Sequence, residues 1–193
     1  MNFEHINPAM IVGAVAVVLL VLSLVVVIVE RKRNEKTRNL RLRFGPEYDL
    51  LLRQSDSRKN AEDRLLAREK RIELLKIRDL KSMERTQFLA AWELVQSRFV
   101  DHPRGAVIEA DELINAILRT RGFPSERFEQ RAADLSVDHA DLVESYRAAN
   151  EITTRAARNL ATTEELRLAM LNYHALFDDL LQVETRFEQS AVA

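Results

Sequence analysis

Cysteine is missing from this 193-residue chain, and glycine and proline occur only four times each. The first absence excludes a disulfide framework, a thiolate zinc site and a cysteine nucleophile. The second argues against turn-rich β architectures, which use both residues at their corners. With glycines only at positions 13, 45, 105 and 122, no phosphate-binding loop, dinucleotide fingerprint or nucleophile elbow can be assembled. The histidines are as thinly spread. None of His102, His139 and His174 follows a glutamate three residues back, and no His-x-x-x-His occurs, so a di-metal carboxylate bundle or a helical zinc pair has no sequence basis. Aromatics make up only 6% of the chain and charged residues 31%. Alternation of period two is absent, and three- and four-residue spacing runs nearly throughout. The expectation is an all-α protein with no cofactor, no metal site and no assignable catalytic residue.

One long uncharged segment is present. Residues 9–29, AMIVGAVAVVLLVLSLVVVIV, contain no charge over 21 positions. As a helix they span ~31 Å, about the thickness of a bilayer's hydrocarbon core. In lipid an unpaired backbone costs far more than valine's modest helix propensity, so helix is the expected form. Ahead of the run, MNFEHINP carries Glu4 and no basic residue, unlike the start of a secretory signal. Behind it come Arg31, Lys32, Arg33, Lys36 and Arg38, followed by Arg41 and Arg43. The one-sided count predicts a non-cleaved, single-pass anchor with residues 1–8 outside and the rest in the cytoplasm. Arg31, Lys32, Arg33, Lys36 and Arg38 are the expected contacts to anionic lipid headgroups.

The net charge of −1 hides an asymmetry. Residues 31–81 carry 17 Lys and Arg against 9 Asp and Glu, whereas residues 82–193 carry 12 Arg, no Lys and 19 Asp and Glu. A basic juxtamembrane stalk, residues 30–81, therefore precedes an acidic domain, residues 82–185, and a tail, 186–193. Phe44-Gly45-Pro46 breaks the helix, because proline restricts its predecessor and lacks a donor. From Pro46 to about Ile77 the spacing predicts one long polar helix. Ala61, Leu65, Ile72 and Leu75 form its seam, with Arg68 at the remaining position. That seam serves either a short coiled coil between copies, hence a homo-oligomer, or packing on the chain's own domain.

From residue 82 onward the periodicity predicts an up-and-down helical bundle. The first helix covers about 82–100, with Phe88, Trp92, Val95 and Phe99 on one face. The second opens at Pro103 behind Asp101 as a cap and stops at Gly122. A short helix from near Ser125 carries Phe128, Ala132 and Leu135. Another starts near Asp138, with Leu142, Tyr146, Ala149, Thr153, Ala156 and Leu160 at helical spacing. Asp101-His102 and Asp138-His139 each precede a helix and would form a metal or acid–base pair only if the two starts converged; carboxylates there are expected as caps without any chemistry. The last opens at Thr162, whose spacing to Glu165 is that of a capping box. Its stripe is Leu166, Met170, Tyr173, Phe177, Leu180 and Leu181.

FGPEYD (44–49), RFVDHP (98–103), RGFP (121–124), FEQRAADLSVDH (128–139) and TEELRLAM (163–170) together resemble an uncharacterised family of bacterial proteins with an N-terminal hydrophobic segment and a helical domain. The resemblance implies a bacterial setting, hence the inner membrane, brings no catalytic residues, and directs attention to residues 128–139. Two functions fit this layout. The first is a membrane-anchored cytoplasmic interaction or scaffold module with a protein partner. The second is an enzyme or ligand sensor with an acid, histidine and arginine site at Arg127, Arg131, Asp138 and His139. The acidic distal domain disfavours nucleic acid.

Overall fold

A computed structural model describes the backbone of residues 8–124 and 127–191, and the side chains of residues 17–124 and 127–181. The described residues form eight helices and no strand, and so belong to the all-α class that the sequence predicts. The chain divides into two compact units, Met1–Leu42 and Arg43–Ala193.

The first unit holds most of α1 (Pro8–Phe44). Among the described residues no helix is long and apolar enough to cross a membrane. The predicted span lies partly outside them, since the side chains of residues 9–16 are not among those described. In the described part of the run, 12 aliphatic side chains are each 45–66% exposed on every side of the helix. Its one polar side chain, Ser23, returns its hydroxyl to the Leu20 carbonyl at 2.8 Å.

The second unit comprises α2 (Pro46–Gln54), α3 (Arg58–Leu74), α4 (Ser82–Asp101), α5 (Pro103–Arg121), α6 (Phe128–Leu135), α7 (Ala140–Ala157) and α8 (Thr163–Ala191). Helix α5 is the centre: it packs on α4, α7 and α8, while α7 packs on α8. The core is built from the predicted stripes, with Trp92, Val107, Ile114, Ile117, Tyr146, Tyr173 and Phe177 all buried. Trp92 stacks on Phe177 with ring centroids 4.7 Å apart and on His174 at 5.3 Å. His174 is thus a packing residue.

The sequence expectation is corrected at several places. The single helix from Pro46 to Ile77 is two helices, because Ser57 caps a new one by accepting from the Asn60 amide at 3.2 Å. These helices pack on one another, and α2 also packs on α7 and α3 on α6. Ala61 and Leu65 are therefore buried within the chain, so the seam serves internal packing. Residues 43–81 belong to the same compact unit as the bundle. At the starts of α5 and α7 the cap positions are His102 and His139, and neither makes a side-chain cap bond. The short third helix of the bundle, α6, starts at Phe128, and Ser125 lies outside the described residues. Finally, Leu160 is 65% exposed because α7 has already ended at Ala157, with Asn159 turned to φ 61°.

Two predicted termini are confirmed in detail. Gly122 stops α5 in the left-handed region at φ 102°, and a Cβ there would lie 2.8 Å from the Lys76 carbonyl oxygen. Thr162 and Glu165 form the reciprocal capping box. The Thr162 amide donates to the Glu165 carboxylate at 2.8 Å, and the Glu165 amide donates to the Thr162 hydroxyl at 3.3 Å. The Thr162 amide, the Arg155 guanidinium and the Thr162 hydroxyl together hold the Glu165 carboxyl down to about 2.

Gly122→Ala is expected to destabilise the unit by about 2 kcal/mol, through left-handed strain and the approach to Lys76, read from urea unfolding. Thr162→Ala is expected to cost about 1 kcal/mol. The Glu165 contribution is full above about 4.5, its ordinary value, and is lost as pH falls through about 2. Wild-type stability should therefore decline with pH in that window, and less steeply in Glu165→Gln.

Candidate functional site

The densest set of charged contacts joins α2 and α3 to α6 and α7. Its centre is Glu47, on the first turn of α2, with a side chain only 3% exposed. A carboxylate taken out of water must be met by donors. Arg68 Nη1 lies 2.8 Å from Glu47 Oε1 and Arg147 Nη2 lies 3.2 Å from the same oxygen. Arg68 occupies the gap in the apolar seam of α3, facing inward, and also donates to the Ser136 hydroxyl at 3.3 Å. One turn on, Arg71 Nε contacts both oxygens of the fully buried Asp134 carboxylate, at 3.1 and 3.3 Å. Gln130 donates to Asp134 at 2.7 Å. Arg43 reaches Glu69 at 2.9 Å, the Val137 carbonyl at 3.4 Å and Asp138 at 3.7 Å.

Residues 128–139 are the hub of this network. Glu129 pairs with Arg147, Asp134 with Arg71, Ser136 with Arg68, Asp138 with Arg43 and His139 Nδ1 with Asp179. Arg131 turns the other way, into the core. Its Nε donates to the Tyr146 hydroxyl at 3.3 Å and its guanidinium sits 6.0 Å from the Phe128 ring centroid. From there a buried polar chain continues. Tyr146 donates to Asn115 at 3.3 Å, Asn115 to Asp111 at 3.0 Å, and Tyr173 to Asp111 at 3.0 Å. Burial pushes the Tyr146 phenol up, and burial together with the Asp111 carboxylate pushes Tyr173 up strongly.

The four residues singled out from sequence do not converge. Arg131 and His139 are buried and engaged, Asp138 is exposed beside Arg43, and Arg127 starts the turn into α6. Nor do the two Asp-His steps meet. His102 stands at the start of α5, whereas Asp138 and Asp179 act on Arg121 at its end, about 28 Å away along a 19-residue helix. Among the described residues no group of three or more acidic or histidine side chains is placed to hold a metal ion. Glu47, Arg68, Arg71 and Arg147 carry the network instead. The local signals for them are Arg68, an arginine at a position where the seam calls for an apolar residue, and Arg147, which with Arg127, Arg131 and Arg155 is a helical arginine that could line an anion site but is expected to pair with nearby acids.

Between these helices lies a groove of about 420 Å³, bordered by α2 (Glu47, Gln54), α3 (Arg64, Ala67, Arg68, Arg71), α6 (Glu129, Gln130, Ala133) and α7 (Arg147). It is the cavity that the ion-pair network builds. No protein-family profile, curated protein or solved structure matches this chain.

Glu47→Gln leaves the Arg68 guanidinium without its carboxylate and Arg147 with Glu129 alone. The expected cost is about 3 kcal/mol in chemical unfolding. Arg98→Ala, which removes an exposed pair with Glu109, should cost less than about 1 kcal/mol under the same conditions.

Proposed function

We propose that this protein is a single-pass, membrane-anchored helical interaction module, with its N-terminus outside a bacterial inner membrane and residues 30–193 in the cytoplasm. The observation that supports this most is the exposure of 12 aliphatic side chains around α1 between residues 17 and 29. An apolar surface of this kind on every side of a helix is stable only against lipid or other apolar helices. The same run continues without charge back to residue 9, which brings it to bilayer length. Ser23 hydrogen-bonds its own helix, as a hydroxyl in lipid must.

Arg31, Lys32, Arg33, Lys36 and Arg38 follow the run and are all exposed. Each basic residue near an anionic leaflet contributes about 1 kcal/mol. The helical unit is the recruiting part. The acidic balance of residues 82–193 favours a protein partner with a basic face.

Full-length protein made in bacteria should stay with the membrane fraction after an alkaline carbonate wash. Leu22→Arg combined with Val26→Arg should move it to the soluble fraction, since each arginine at mid-span costs roughly 3 kcal/mol. A C-terminal alkaline phosphatase fusion should be inactive and a fluorescent-protein fusion bright. An active phosphatase would reverse the proposed orientation, and full release by carbonate would remove the anchor.

A further inference from the structure

We infer that the groove between α3 and the α6–α7 pair binds a small oxyanion of the phosphate class. Arg64, Arg68 and Arg71 recur at four- and three-residue steps, so one face of α3 presents three guanidiniums to the cavity. Arg147 borders it from α7. Among the described residues, only Glu47 and Glu129 line it with negative charge. Even with Asp134 counted behind Arg71, the balance is positive.

Donor capacity is also left over. Arg71 contacts Asp134 through Nε alone among the described residues and is 44% exposed, which leaves its terminal nitrogens to the groove. Arg64 contacts only the Ser55 hydroxyl, at 3.4 Å, and no carboxylate among the described residues pairs with it. Ala67 and Ala133 on opposite walls keep the space open. Guanidinium forks arriving from two helices match a tetrahedral oxyanion with several oxygens better than a single planar carboxylate.

Glu129 is the resident competitor. Its side chain is 78% exposed and lies 2.5 Å from Arg147 Nη1. An incoming oxyanion displaces this carboxylate from Arg147, while Glu47 stays in place beneath and keeps the walls together. The inference is independent of the anchor. The ligand is either a free phosphate or phosphate ester, or the phosphomonoester headgroup of a lipid.

Full-length protein in phosphatidylcholine nanodiscs, titrated with sodium phosphate against sodium chloride of equal ionic strength, separates site binding from screening. A parallel set replaces part of the lipid with phosphatidic acid and omits phosphate. The thermal midpoint should rise with phosphate in a saturable way. Arg64→Ala, which touches no ion pair, should weaken the apparent affinity roughly tenfold or more. Glu129→Gln should tighten it, and Arg104→Ala, outside the groove, should leave it unchanged. A rise confined to phosphatidic acid discs and lost in Arg64→Ala assigns the site to a headgroup. A response in neither set beyond that of chloride, or one that Arg64→Ala and Arg104→Ala diminish equally, overturns the inference.

Discussion

A single buried carboxylate sets the arrangement of the N-terminal half of the helical unit. Glu47 lies on a nine-residue helix that would be marginal alone. Its side chain is withdrawn from water, so the fold must bring it donors, and it does so from two directions. Arg68 comes from α3 and Arg147 from α7, 100 residues further along the chain. Breaking such a pair leaves an uncompensated charge in a place water does not reach, which is why the contact matters more than its count of hydrogen bonds suggests. Helices α2 and α3 are thereby fastened to the bundle.

The segment 128–139 is best understood from the same constraint. Alternate residues face the core, at Ala132 and Leu135, and the ion-pair layer, at Glu129, Asp134 and Ser136. Arg131 and His139 fix its two ends, to Tyr146 and to Asp179. A stretch in which nearly every side chain has an assigned partner tolerates little change. Its polar residues, which look like a site when read in isolation, hold the structure together, and the open groove forms beside them.

Most of the helical layout was legible in the sequence because its causes are local. The stripes of α5 and α8 are apolar at helical spacing, Gly122 is the one residue suited to a left-handed stop, and Thr162 and Glu165 lie at capping distance. The break after Gln54 was also written locally, in the polar run Ser55-Asp56-Ser57, but the strong charge pattern on both sides reads as continuous helix. The ion-pair layer was not legible. Arg71 meets Asp134 at a separation of 63 residues and Arg68 meets Ser136 at 68, and no periodicity within either segment encodes such a pairing. The Asp-His steps show the opposite limit: a repeated local pattern at two helix starts carries no information about whether those starts meet, and here it marks two helix starts and nothing more.

Amide hydrogen exchange of full-length Glu47→Gln against wild type tests most directly whether this carboxylate fastens α2 and α3 to the bundle. Protection should fall together in α2, α3 and α6, whose contacts run through the network, while the central α5 and the Tyr173 region of α8 keep theirs. Loss confined to the residues around position 47, or an equal loss across every helix, would contradict that role.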